Sequence, residues 1–138
     1  RMTKLRVAKV AGIAADIPLA EVDDPDGLGR AEVLVVGWGS TYGAIAAGIR
    51  RVRAQGHKVA QLHLRHLNPF PPNLGELVRK YPKILVPEMN MGQLAKLLRA
   101  DFLVDARPLS KVQGQPFRAV EIETGILDMI RATSKRDA

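Results

Sequence analysis

Three stretches of this sequence join glycine and small polar side chains to a switch from strand-like to helix-like patterning, a combination from which anion sites are often built. The first is Gly37-Trp38-Gly39-Ser40-Thr41-Tyr42-Gly43, whose glycines are spaced G-x-G-x-x-x-G, one residue off the dinucleotide fingerprint. Free N–H groups at the start of the following helix could receive an anion there. The fingerprint also needs an acid after the second strand to hold a ribose, and this chain has Leu64-Arg65-His66 instead. A plainer use of the same residues outweighs the dinucleotide reading. Gly37 and Gly39 permit a turn, Ser40 or Thr41 caps the helix, and Gly43 lets that helix approach the sheet.

The second stretch, Glu88-Met89-Asn90-Met91-Gly92-Gln93-Leu94, also runs from strand to helix. Asn90 suits an N-cap and the methionines are adaptable apolar fillers, while Glu88, Asn90 and Gln93 are open to a cofactor, a partner subunit or water. The third stretch, from Pro108 to Phe117, sets Lys111 and Gln113 beside Gly114. They either grip a phosphate or line a turn shaped by Gly114 and Pro116. The candidate binding residues are therefore Ser40, Thr41, Asn90, Gln93, Lys111 and Gln113, open to a cofactor or to a subunit contact.

Other chemistries have little to work with. The chain lacks cysteine, which excludes disulfides, thiolate zinc sites, a cysteine nucleophile and cysteine-ligated iron–sulfur clusters. His63 and His66 sit in a strand-to-loop segment where a spacing of three aims them at opposite faces. His57 falls in the polar connector after Gly56. The paired acids Asp23/Asp24 and Glu121/Glu123 are expected in a turn and on a solvated helix face. No catalytic residue and no metal ligand is assigned.

The elements that must position these stretches alternate. Residues 3–15 read as a short amphipathic helix through Val7, Val10, Ala11 and Ala14. An extended stretch over 17–22 follows, then an acidic turn over 23–27. Strands are expected over 32–36, 58–64, 83–87 and 102–106, and helices over 41–55, 74–81, 92–100 and 117–133, with Gly56 ending the first of these helices. Short apolar strands alternating with helices predict a mostly parallel sheet covered on both faces. Residues 1–30 read as a lead-in from a preceding domain, and 31–138 as one α/β domain.

The net charge of +7 is uneven: residues 31–66 carry five bases against Glu32 alone. Nucleic-acid binding would need interleaved aromatics or a reading element, and neither is present. The basic stretch from Arg50 to Lys58 is more simply a solvated face, or a surface for an acidic electron carrier. No apolar run is long enough to span a bilayer and no signal peptide is visible, so a cytoplasmic location without membrane contact is expected.

Four blocks taken in order resemble the carboxyl-terminal domain of 2-oxoacid:ferredoxin oxidoreductase α subunits. They are Val35 to Gly43, His66-Leu67-Asn68-Pro69-Phe70-Pro71, Val86 to Leu94, and Lys111-Val112-Gln113-Gly114-Gln115-Pro116-Phe117. The agreement spans residues 31–133, and the third and fourth blocks, with Glu88 to Gln93 and Lys111 to Phe117, are most similar to the 2-oxoglutarate members. The resemblance implies a three-layer α/β/α fold with a mostly parallel sheet of about five strands, similar to the transketolase carboxyl-terminal domain. It also implies a parent enzyme that converts a 2-oxoacid to an acyl-CoA and reduces ferredoxin. That parent uses thiamine diphosphate with magnesium, an iron–sulfur cluster and coenzyme A. In such enzymes the thiamine lies between domains absent from this chain, so this piece is expected to bind no cofactor alone and to be inactive alone. Its expected partners are the β subunit and the other domains of the α subunit, with ferredoxin reached through the whole complex. The alternatives are a stand-alone nucleotide- or phosphate-binding Rossmann or flavodoxin-like module, or the equivalent domain of a pyruvate:ferredoxin oxidoreductase or transketolase-like enzyme.

Overall fold

Val33, Leu34, Val35 and Val36 are all fully buried, which a strand achieves only when both faces of its sheet are covered. The computed structural model describes residues 19–25, 27, 29–64, 70–88, 93–110 and 116–137, and the helix expected over 3–15 lies outside them. Five strands form one sheet: β1 (Val22–Asp23), β2 (Val33–Trp38), β3 (Val59–Leu64), β4 (Ile84–Glu88) and β5 (Ala106–Ser110). Their order is β1-β3-β2-β4-β5. The strands β2 to β5 run parallel, and β1 joins the β3 edge antiparallel through Val22 opposite Leu62. This is the expected mostly parallel α/β/α architecture.

Alternation along β2 divides the core. Val33 and Val35 face the layer of α1 (Tyr42–Ala54) and α4 (Ala119–Asp137), with Ile45, Ile49, Val52, Ile122 and Ile126. Leu34 and Val36 face the layer of α2 (Leu74–Val78) and α3 (Gln93–Phe102), with Leu74, Val78, Leu94 and Leu98. In α1 the buried residues Ile45, Gly48, Ile49 and Val52 follow the i, i+3, i+4, i+7 stripe of an amphipathic helix. At Gly48 a Cβ would lie 2.5 Å from the Ile122 Cβ and 2.9 Å from the Ala119 carbonyl, so glycine is what lets α4 rest on α1. Gly56, at φ +96°, follows the last turn of α1 as expected.

The last strand is displaced from its expected position. The apolar run Phe102-Leu103-Val104 reads as a strand, yet α3 continues through Phe102 and ends where Leu103 turns to φ +57°, its N–H bonded to the Arg99 carbonyl at 3.0 Å. The strand is Ala106–Ser110 instead, with Pro108 inside it, which an edge position tolerates. Pro108 and Leu109 therefore belong to β5, and the third candidate stretch leaves the sheet after Ser110.

Residues 20–24 are tied to the sheet by side chains. The Ala20 N–H donates to Asn73 Oδ1 at 2.8 Å, and Asn73 Nδ2 donates to the Ala20 carbonyl at 2.9 Å. Arg53 Nη2 donates to the Asp23 carbonyl (2.9 Å) and to that of Val59 (2.8 Å). Tyr81 donates its hydroxyl to Asp24 Oδ2 at 2.8 Å. Burial, helped by the Asp24 carboxylate and partly offset by a backbone hydrogen bond with Gly29, pushes the Tyr81 hydroxyl up to about 12. Its neutral form is thus favoured in the folded state, so the stabilisation is complete below the ordinary tyrosine range near 10 and fades as pH climbs from there through 12. Tyr81→Phe is expected to cost about 1 kcal/mol at neutral pH. The gap to the unchanged chain should close above pH 10 in urea titrations across that window; a constant gap would deny the linkage.

Candidate functional site

Because β2 to β5 are parallel, their carboxyl ends lie at one rim, where register places Trp38 opposite Leu64 and Glu88 opposite Ser110. The chain runs from β2 outward to β3, then crosses back to β4 on the other flank of β2. The order reverses between β2 and β4, and this is where open α/β sheets leave a crevice for ligands. All three candidate stretches begin at this rim.

On the β2 side, Gly39, Ser40 and Thr41 form a single 3-10 turn leading into α1. Gly39, at φ +68°, makes the turn. Gly37 has a different duty from the one expected, since a Cβ there would run into the Ile45 side chain; it brings α1 close to the sheet, while Gly43 faces open space. Thr41 is buried and does not cap α1 with its side chain. Its hydroxyl donates back to the Trp38 carbonyl at 2.9 Å because the 3-10 turn holds Thr41 in helical geometry rather than the extended geometry of a cap. Trp38 and Tyr42 flank the turn as residues 38% and 54% exposed, and Tyr42 stands edge-on to His63 with ring centroids 5.1 Å apart. The sequence marked neither aromatic as a contact residue, although two exposed rings around a glycine turn in an aromatic-poor chain are such a signal.

On the β4 side, Glu88 is buried and turned inward. Its Oε1 accepts the Leu94 N–H at 2.8 Å and its Oε2 accepts the Ala95 N–H at 3.1 Å. The chain's own carboxylate thus fills the positive end of α3, the place where a phosphate would otherwise sit. Gln93 begins α3 and is exposed. Asn90, Lys111 and Gln113 lie outside the described residues, in segments that leave from the ends of β4 and β5. A groove of about 340 Å³ between β5 and α4 is lined by Leu109, Phe117, Val120 and Thr124.

The basic stretch is largely committed to the fold. Arg51 pairs with Glu123 at 2.8 Å, so Glu123 ties α4 to α1 rather than facing solvent alone. Arg53 is held by Val59 and Asp23, whereas Arg50 and Lys58 are exposed.

A cofactor of the expected parent can be tested against these side chains. With no cysteine in the chain, no thiolate is available to an iron–sulfur cluster. Magnesium bound to a diphosphate needs carboxylate oxygens, and both oxygens of Glu88 are spent on α3. Among the described residues no three His, Asp or Glu side chains converge. The described part of the rim therefore does not fit either metal group. Nor is any described helix long and apolar enough to cross a membrane.

Residues 31–123 match the family model described as pyruvate:ferredoxin oxidoreductase core domain II. The chain belongs to that family. Over 121 residues this core domain II is 54% identical to the 2-oxoglutarate oxidoreductase subunit KorA of Mycobacterium tuberculosis, covering 88% of the chain and 18% of that protein. It superposes with a TM-score of 0.78 and 28% identity on the 2-oxoglutarate:ferredoxin oxidoreductase of Magnetococcus marinus, solved with 2-oxoglutarate, coenzyme A and succinyl-CoA bound, over 92% of this chain and 22% of that one. A split-gene transketolase in an inactive β4 tetramer shares the fold, with a TM-score of 0.58 and 17% identity over 81% of this chain and 45% of that one. The chain spans about a fifth of the length of its 2-oxoglutarate relatives. The dinucleotide-binding alternative finds no support in these likenesses.

Proposed function

We propose that this domain is the carboxyl-terminal, non-catalytic assembly unit of the α subunit of a cytoplasmic, thiamine-dependent 2-oxoglutarate:ferredoxin oxidoreductase. The parent oxidatively decarboxylates 2-oxoglutarate to its acyl-CoA and passes the electrons to ferredoxin. The observation that carries this reading is the 54% identity to a 2-oxoglutarate oxidoreductase subunit over 88% of the chain. The chemistry of the rim agrees with it: exposed aromatics and the exposed Gln93 suit contact, and the one buried acid there among the described residues is occupied in holding a helix. The thiamine diphosphate, magnesium and iron–sulfur cluster are held by other parts of the complex, with the β subunit and the rest of the α subunit as neighbours. Ser40, Thr41, Asn90, Gln93, Lys111 and Gln113 border the coenzyme A route or a subunit contact.

The test uses the assembled enzyme. Lys111→Ala is expected to raise the KM for coenzyme A about tenfold with kcat little changed, the pattern of a lost binding contact. An unchanged KM would take that stretch out of the coenzyme's path. Turnover of 2-oxoglutarate by the isolated chain would overturn the assembly role itself.

A further inference from the structure

Most arginines of the described residues are spent inside the fold: Arg51 on Glu123, Arg79 and Arg99 on the Phe102 and Ala106 carbonyls, Arg107 on Asp105. Four cations with no ion pair among the described residues, Arg30, Lys58, Lys80 and Lys83, lie along the amino-terminal edge of the sheet, opposite the rim. Lys58 and Lys83 stand just before β3 and β4, where their carbonyls accept the N–H groups of Glu32, just before the intervening β2, and of Leu34 within it, each at 2.9 Å. With strands about 4.8 Å apart, their Cα atoms lie roughly 10 Å from each other. Lys80 adjoins the Gly29-Arg30 strap, since a Cβ on Gly29 would be 3.5 Å from the Lys80 Cβ. The acids on this edge are Glu32, 3.9 Å from His57, Asp23, 3.6 Å from Arg53, Asp24, bonded to Tyr81, Asp105, paired with Arg107, and the exposed Asp101 in the last turn of α3.

A second, independent feature shares this edge. Leu103 is 88% exposed and held at φ +57°, the left-handed conformation that branched side chains avoid and that glycine takes at helix ends. Arg79 Nε donates to the neighbouring Phe102 carbonyl at 3.3 Å, which ties Leu103 to the end of α2 where Lys80 stands. The domain gains neither burial nor a relaxed backbone from this leucine, and such outliers persist where a contact uses them.

We propose that the amino-terminal edge of the sheet docks an acidic polypeptide surface bearing an apolar socket, with Leu103 as the anchor at the β5 side and Arg30, Lys58, Lys80 and Lys83 as the cationic row that continues along the edge from it. A buried apolar anchor bordered by polar groups is the usual layout of a protein contact. Nucleic acid fits less well, because the exposed rings of Trp38 and Tyr42 that would stack on bases are at the opposite end of the sheet.

The chain can be titrated with a labelled Glu-rich peptide carrying leucine at every fourth position, an all-Glu peptide of equal charge, and oligouridine. The leucine-bearing peptide should bind tightest, and raising salt should weaken it. A Lys58→Glu, Lys83→Glu double variant should lose about tenfold in affinity, and Arg50→Glu, on the outer face of α1, should lose little. Leu103→Gly should abolish the preference for the leucine-bearing peptide while raising the melting temperature by about 3 °C, a gain in stability paired with a loss in recognition. Equal losses in the lysine and Arg50 variants, tighter binding of oligouridine, or an unaltered preference in Leu103→Gly would each overturn the proposal.

Discussion

Glu88→Gln is expected to destabilise the domain by about 2–3 kcal/mol. The carboxylate meets two backbone donors at once, Leu94 and Ala95, and hydrogen bonds to an ionised acceptor in a buried place are the strong kind. An amide keeps the shape but turns an NH2 toward one of those donors, leaving two hydrogens facing each other and one N–H of α3 unpaired. The favourable alignment of a negative charge with the positive end of α3 is lost as well. In urea the midpoint should fall by about 1–2 M with an unchanged slope. A midpoint within experimental error of the unaltered chain would mean that Glu88 is held by the loop rather than the reverse. In the assembled enzyme the same variant should also disturb whatever Gln93 touches, because α3 begins at that residue.

The second large effect concerns where the domain begins. A chain shortened to start at Ala31 loses β1 and the four side-chain links that hold residues 20–24: two between Ala20 and Asn73, one from Arg53 to Asp23, one from Tyr81 to Asp24. At about 1 kcal/mol each these sum to roughly 4 kcal/mol, a large part of the 5–15 kcal/mol that keeps an ordinary domain folded. The edge of β3 would also be bared, an invitation to association. The shortened chain should therefore melt at a much lower temperature and grow in apparent size with concentration on a sizing column. If it matched the longer chain in both respects, the domain would start at Ala31 and the preceding stretch would be an appended strap.

Much of this architecture was legible in residue type and spacing. The stripe Ile45, Ile49, Val52 and the apolar run Val33 to Val36 left few options for α1 and β2. What escaped was decided by geometry that residue types do not encode. A glutamate after an apolar strand looks like the first residue of a solvated loop, and only the closeness of α3 turns it inward. Leu103 carries no signal for a left-handed turn, so the apolar run it belongs to passed for a strand and displaced β5 by several residues. At the rim the spacing points to the glycines but not to their duties, because Gly37 and Gly43 can be told apart only by what lies across from them. The type of Thr41 suits a helix cap, and only the 3-10 turn directs its hydroxyl to the Trp38 carbonyl instead.

The division of the core by the sheet has a bearing on how this domain tolerates change. Side chains beneath α1 and α4 and those beneath α2 and α3 adjoin different faces of the same strands, so the two sets are separated by backbone. Substitutions on opposite faces should therefore be additive in free energy, unlike neighbours within one face. Drift in one compartment needs no compensation from the other, and the β2 turn and the start of α3, each resting on its own compartment, can be altered one at a time.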